Sequence, residues 1–181
     1  MMQVTSVSGA ARMERTSLAR WPCPIARAAD QLGDTWRLVI LRDVYLGMHR
    51  FAALQESLGI APNMLKRRLD ELVRDELLVA TAYSERPQRF EYSLTEKGAD
   101  VLPVLLSLAA FGNRWLAPKG EPLVPVSLRD GRVVEPQVVD AKTRKPLKEN
   151  EVGLAAGPGA PQSLRRALSR QPRTFSSRRD R

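Results

Sequence analysis

Between Pro62 and Asp75 the side chains sort into two kinds. Leu65, Leu69, Leu72 and Val73 fall in one narrow arc of a helical wheel, while Asn63, Lys66, Arg67, Asp70 and Arg74 project on the other side. Lys and Arg donors match guanine edges and phosphate oxygens, and an Asn amide matches adenine. Asn63, Met64, Lys66 and Arg67 are therefore candidates for a surface that reads double-stranded DNA. An ordinary solvated helix face has the same composition, so the neighbouring elements must decide between the two readings. A second basic group, Arg86 and Arg89, lies in the polar run Ser84-Glu85-Arg86-Pro87-Gln88-Arg89 and suits backbone phosphates or the minor groove. Arg50 and Thr35 stand at expected helix starts, where a side chain and the helix amides together can hold phosphate.

Other chemistries lack their residues. The chain has no Gly-rich phosphate loop, no GxSxG elbow and no His spaced with carboxylates, so no enzyme is expected. One Cys excludes an internal disulfide, and one Cys with one His cannot supply a usual metal-ligand set, so neither metal nor cofactor is expected.

The punctuation around the basic face predicts helices. Pro24 suits a first helical turn, and Ile25, Ala28, Ala29 and Leu32 share a face up to Gly33. Asp34 is the expected cap of a second helix, Thr35 to Leu46, which Gly47 ends. A third helix, about Arg50 to Leu58, buries Phe51, Leu54 and Leu58; Gly59-Ile60-Ala61 forms a three-residue turn, and Pro62 opens the fourth. Helix, Gly-containing turn and helix with a basic outer face is the pattern of a DNA-reading helix-turn-helix. Leu77 to Tyr83 and Phe90 to Leu94 read as strands of a hairpin with both arginines at its tip, which makes it a wing.

Thr95 is the expected cap of a last helix through Trp115, with a kink or a late start at Pro103. This helix is more apolar than packing on one side of a small domain requires. Leu102, Leu105, Leu106, Ala109 and Trp115 are thus candidates for a homodimer interface, which would set two reading helices about 34 Å apart on a palindromic site. The fold class that follows is mainly α with a small β-hairpin wing.

The 181 residues carry 29 Lys+Arg against 20 Asp+Glu, a net charge of +9. That charge is unevenly placed. Residues 1–20, expected as a loosely ordered arm, hold +2; the winged helix-turn-helix domain with its dimerisation helix, 21–118, is neutral. Residues 119–157, expected as an extension with one or two short hairpins, hold +1, and the Pro-, Ser- and Arg-rich 158–181, expected as a disordered tail, hold +6. Within that tail, Ser163 to Leu168 has the pattern of at most one helical turn. The longest nearly apolar run, Val101 to Gly112, is too short to span a membrane, and the first twenty residues have no apolar signal core, so a cytoplasmic protein is expected.

Several ordered segments resemble HxlR-type winged-helix transcription regulators. They are Cys23-Pro24-Ile25-Ala26, Leu32-Gly33-Asp34-Thr35-Trp36, Ile40-Leu41-Arg42-Asp43, Gly47-Met48-His49-Arg50-Phe51, Leu58 through Leu65, Arg68-Leu69, and Tyr92 through Gly98. The resemblance implies a small homodimeric bacterial regulator, related in fold to MarR-type proteins, that activates or represses nearby genes. It also implies, for some members, an N-terminal Cys that senses oxidants or electrophiles. Cys23 is the matching candidate, since a thiol at a helix start can react as thiolate; the plainer reading is a small buried side chain beside Trp21 and Ile25. His49 is expected as a polar cap. The alternative to a sequence-specific regulator is a winged-helix module that binds an acidic protein partner and has no specific DNA target.

Overall fold

A computed structural model describes residues 17–148 and 151–170. Residues 1–16 of the expected arm and 171–181 of the expected tail lie outside the described residues.

The first helix, α1 (Pro24–Leu32), starts at its proline and ends at Gly33, whose amide bonds back to the Ala29 carbonyl. Asp34 caps α2 (Thr35–Tyr45) by accepting from the Trp36 amide. Gly47, at φ 94°, turns the chain away. α3 (Phe51–Leu58) and α4 (Pro62–Arg74) are joined by Gly59, Ile60 and Ala61. Gly59 lies in the left-handed region at φ 62°, which glycine adopts without steric cost and which lets its amide close α3 on the Gln55 carbonyl. Ile60 folds back into the core.

The core follows from the periodicities. Ile40, Leu41 and Val44 of α2 meet Leu54 of α3 and Leu65, Leu69 and Leu72 of α4, all of them buried. Leu77, Leu78, Tyr92 and Val101 close the cluster from the side of the hairpin. That hairpin pairs β1 (Leu78–Glu85) with β2 (Gln88–Leu94) in antiparallel register from Leu78 opposite Leu94 to Glu85 opposite Gln88, with a bulge at Tyr83.

The strands run further than the sequence indicates. The apolar alternation stops at Tyr83 and Phe90, but backbone pairing continues through Ser84 with Arg89 and Glu85 with Gln88, and the Ser84 hydroxyl donates to the Pro87 carbonyl. The tip is reduced to Arg86-Pro87, so Arg89 stands in strand β2 rather than at the tip as expected.

Thr95 caps a short α5 (Glu96–Ala99) through its hydroxyl on the Gly98 amide. The chain then restarts as α6 (Leu102–Leu116) with Pro103 in its first turn. The late start, not a kink, accommodates the proline.

Beyond α6 the extension repeats one device. Val126 pairs with Val133 across a turn at Ser127–Arg132, and thirteen residues on Val139 pairs with Pro146 across a turn at Asp140–Lys145. The hydrogen bonds correspond one for one: Gly131 to Ser127 and Arg144 to Asp140, Ser127 to Arg132 and Asp140 to Lys145, Val134 to Pro125 and Leu147 to Val138, each given as amide to carbonyl. Both turns use a left-handed residue, Gly131 at φ 71° and Arg144 at φ 60°. Asp130 and Asp140 accept from the amides of Arg132 and Lys142. Bonds from Ser127 and the Arg132 amide hold the Asp130 carboxyl below the usual range, and bonds from the Lys142 amide and Thr143 do the same for Asp140.

Between the extension and the end of the described chain, α7 (Gln162–Ser169) corrects the expectation of a tail with at most one turn. Its stabilising feature is Arg165, whose guanidinium donates to the carbonyls of Gly157, Pro158 and Ala160 and ties the helix to the segment before it.

Among the described glycines, Gly98 is the one whose missing Cβ would run into the backbone. A Cβ there would lie 2.0 Å from the Leu77 carbonyl oxygen, a backbone atom that cannot move aside alone. Gly98→Ala is expected to cost about 2–3 kcal/mol by overpacking. Chemical denaturation of the variant beside the parent checks this; equal midpoints would show that α5 is not seated against the Leu77 carbonyl as described.

Candidate nucleic-acid interface

The side of α4 opposite Leu65, Leu69 and Leu72 presents Asn63, Lys66, Arg67, Asp70 and Arg74, all exposed. Met64 is half-buried and packs against the core, so it sits at the edge of that face. No side chain caps the first turn of α4, where Ala61 stands at the cap position, so the helix start offers amides and partial positive charge to an anion.

Two of the basic residues are held from within the helix. The Lys66 ammonium donates to both Asp70 carboxylate oxygens at 2.7 Å, and that bond raises its pKa. Arg67 lies over Met64, with Nη2 3.3 Å from the thioether sulfur, and reaches Glu71 at 3.9 Å. These are exposed contacts at helical spacing, worth a few tenths of a kcal/mol each, and a phosphate or base edge can replace them.

Arg68 and Arg37 do a different task that the sequence does not reveal. Arg68 points inward from α4, pairs with Asp34 at 2.6 Å and with Glu71 at 2.7 Å. Arg37 of α2 is buried and pairs with Asp75 just past the end of α4. Together they fix the start of α2 and the far end of α4 relative to each other. Thr35 is exposed at the first position of α2, beside this junction.

Arg50 precedes α3, and its side chain turns to the wing. Nε donates to Glu91 of β2 at 2.8 Å, which raises the Arg50 pKa, and the guanidinium lies 4.7 Å from the centre of the Tyr83 ring. A backbone bridge pairs Arg50 with Glu91 as well. His49 is not a cap. Its Nδ1 lies 2.9 Å from the Tyr92 carbonyl oxygen, and the Tyr92 amide donates to the His49 carbonyl, so residues 49 and 50 form a third rung beside β2. The wing is thereby tied to the start of α3, with Arg86 and Arg89 exposed at and near its tip.

The candidates for self-association divide. Leu102, Leu105, Leu106 and Ala109 are half-buried on the side of α6 that faces α2 and the extension. Trp115, 63% exposed, lies instead with Val104, Leu108 and Phe111 on an apolar stripe open to solvent. α1 adds to the open apolar surface, with no buried residue, Ile25 61% exposed and Trp21 just before it 55% exposed. Cys23 sits between them as the unbonded residue before α1, half-buried. Among the described residues no group of three or more His, Cys, Asp or Glu could hold a metal, and no helix is long and apolar enough to cross a membrane.

A three-residue turn between α3 and α4, an exposed basic face on α4 and a two-stranded wing define a winged helix-turn-helix DNA-binding protein. Comparison with known proteins gives the family. Residues 31–120 match the HxlR-like helix-turn-helix family. An HTH-type transcriptional regulator of Mycobacterium tuberculosis, itself uncharacterized, is 32% identical over 136 residues, 75% of this chain and 86% of the relative. Among solved structures, the candidate transcription factor PA1607 is 33% identical with a TM-score of 0.70, over 78% of this chain and 100% of its own. A second candidate transcription factor, from Pseudomonas aeruginosa, is 39% identical with a TM-score of 0.60, over 81% and 100%. The chain belongs to the HxlR-like family of helix-turn-helix transcription regulators.

Asp70 holds Lys66 through both of its carboxylate oxygens on the outer face of α4. Asp70→Asn is expected to raise DNA affinity about 3- to 10-fold at low salt, by freeing Lys66 and removing a charge that repels phosphate. Fluorescence anisotropy with duplex DNA measures it, and unchanged or weaker binding would place that face away from the DNA.

Proposed function

We propose that the protein is a homodimer that binds a palindromic operator with α4 in the major groove and the wing over the flanking backbone. The observation that carries this reading is the division of α4 into a leucine face with no exposed surface and an opposite face carrying Asn63, Lys66 and Arg67. The left-handed turn at Gly59 presents that face outward. Lys66 and Arg67 reach base edges or phosphates, Asn63 stands where the helix start meets the groove, and Arg86 and Arg89 neutralise phosphate beside the site. Thr35 and Arg50 stand at the starts of α2 and α3; the Arg50 guanidinium remains partly open above its bond to Glu91. The second copy covers Trp21, Ile25 and the Val104, Leu108, Phe111 and Trp115 stripe. Val104, Leu108, Phe111 and Trp115 recur at helical spacing along α6, each more than two-fifths exposed. Residues 158–181 add charge and hence affinity, without sequence information.

The same arrangement supports a thiol response. With a single Cys in the chain, two Cys23 thiols from two subunits form one disulfide as the oxidant takes up two electrons and two protons. Cys23 lies between Trp21 and Ile25, so the bond would form within the surface that joins the copies.

Lys66→Ala with Arg67→Ala is expected to lower specific operator affinity by at least about 100-fold, roughly 2.7 kcal/mol, while leaving the dimer intact. Operator fragments are selected from the protein's own upstream region, and sedimentation reports the assembly. Unchanged operator affinity would exclude α4 as the reading helix. Diamide is expected to produce a Cys23-dependent covalent dimer on a non-reducing gel and to change operator affinity; absence of both would leave Cys23 a packing residue.

A further inference from the structure

Between α2 and α6 lies a half-open groove of about 510 Å³. Leu38 and Val39 of α2 form its floor, Leu105 and Leu106 of α6 one wall, and Val124 and Val126 of the extension the other. Two walls belong to the helix-turn-helix domain, but the third comes from residues past 120, where the match to the family ends. The groove is therefore a feature of this chain and not of the shared domain alone.

Its volume lies within the range of small-molecule sites. The apolar stripe available to a second copy, including Val104, Phe111 and Trp115, lies outside the groove, with only Leu108 shared. A second copy on that stripe would share only Leu108 with the groove.

Polar groups enter only from α2, one turn apart, at Arg42 and Tyr45. Arg42 donates from Nε at 2.8 Å and from Nη2 at 2.6 Å to the carboxylate of Asp43, which is 1% exposed. This pair is neutral as a whole. It therefore gives no net positive charge to offset the desolvation of a ligand carboxylate. On the lining itself the unused polar capacity is at Arg42 Nη1 and the Tyr45 hydroxyl, while the unpartnered Asp43 Oδ2 is buried behind Arg42 and off the lining. The groove thus has an apolar body and a neutral end rich in donors.

We propose that this groove binds an uncharged, largely apolar molecule carrying one hydrogen-bond acceptor, an aryl ketone in its simplest form, and that its occupancy changes operator affinity. α2 is the link, because the helix that forms the floor is also the one clamped to α4 by Arg37 and by the Asp34 pair with Arg68. The regulatory half rests on the reading of α4 as the operator-reading helix; the binding half does not.

Calorimetry on the full chain without DNA separates the two. The probes are 2-acetylnaphthalene, 2-ethylnaphthalene and 2-naphthoate, alike in size and different in the head group. The ketone is expected to bind at least about tenfold tighter than the other two. Tyr45→Phe should weaken the ketone several-fold and leave the hydrocarbon unchanged, and Ala109→Phe should abolish binding by filling the groove. Equal binding of ketone and hydrocarbon, or tightest binding of the naphthoate, overturns the assigned chemistry. Binding of none of the three overturns the site. If Ala109→Phe does not fold, the Tyr45→Phe comparison still decides. Saturating ketone should then shift operator affinity at least about threefold, and an unchanged affinity with the ketone bound overturns the regulatory role. Loss of operator reading with ketone binding intact would refute the α4 assignment and not the groove.

Discussion

The seating of α4 governs the rest of the molecule. Leu65, Leu69 and Leu72 have no exposed surface, and each contributes about 2–5 kcal/mol that truncation would remove. Apolar burial is non-directional, so these leucines press the helix onto α2 and α3 without choosing its angular setting. The setting comes from charge-assisted bonds at its middle and its far end, Arg68 with Asp34 and Asp75 with Arg37. Asp34 joins the two effects, since one oxygen caps α2 and the other takes Arg68. A reading helix must present its side chains within a fraction of an ångström, and the paired arginines supply that definition where the leucines supply the stability.

The wing is held by the same logic at a different place. Its two strands join no larger sheet beyond one bridge from Arg50 to Glu91, and an isolated two-stranded hairpin is marginal in water. Tyr92 and Leu78 bury its root in the core, while Arg50, through Glu91 and the face of Tyr83, and His49, through the Tyr92 backbone, bind its middle to the start of α3. The side chain that precedes the first helix of the helix-turn-helix thus also positions the wing. Arg50 makes its contacts inside the protein, and any phosphate contact it makes comes in addition to them.

Much of this was legible in the sequence because it rests on local rules. Caps, helix starts at Pro24 and Pro62, the Gly59 turn and the leucine arc of α4 are properties of a few neighbouring residues, and the structure has each of them. What escaped was non-local. The pair of Arg37 with Asp75 joins residues 38 positions apart, and nothing in either neighbourhood marks the partner. The extra strand pairs that move Arg89 off the tip are made by backbone groups, which composition does not report. The two sides of α6 are both apolar, so periodicity alone could not tell the side that faces α2 from the side left open. The helix α7 depends on one arginine reaching back to three carbonyls, a tertiary contact in a segment whose composition resembles that of disordered chains.

The placement of α2 explains how a regulator of this form can respond to anything at all. One of its faces is committed to the core through Ile40, Leu41 and Val44, and its start is fixed to α4 by two ion pairs. Its remaining face meets α6 only across the groove. The packing there is half-open, so α6 and the surface it offers to a second copy are less firmly set against the reading unit than α4 is. In the proposed dimer, the separation of the two reading helices would be set through this junction. On the reading proposed above, a ligand in the groove would act on that spacing without touching the residues assigned to DNA.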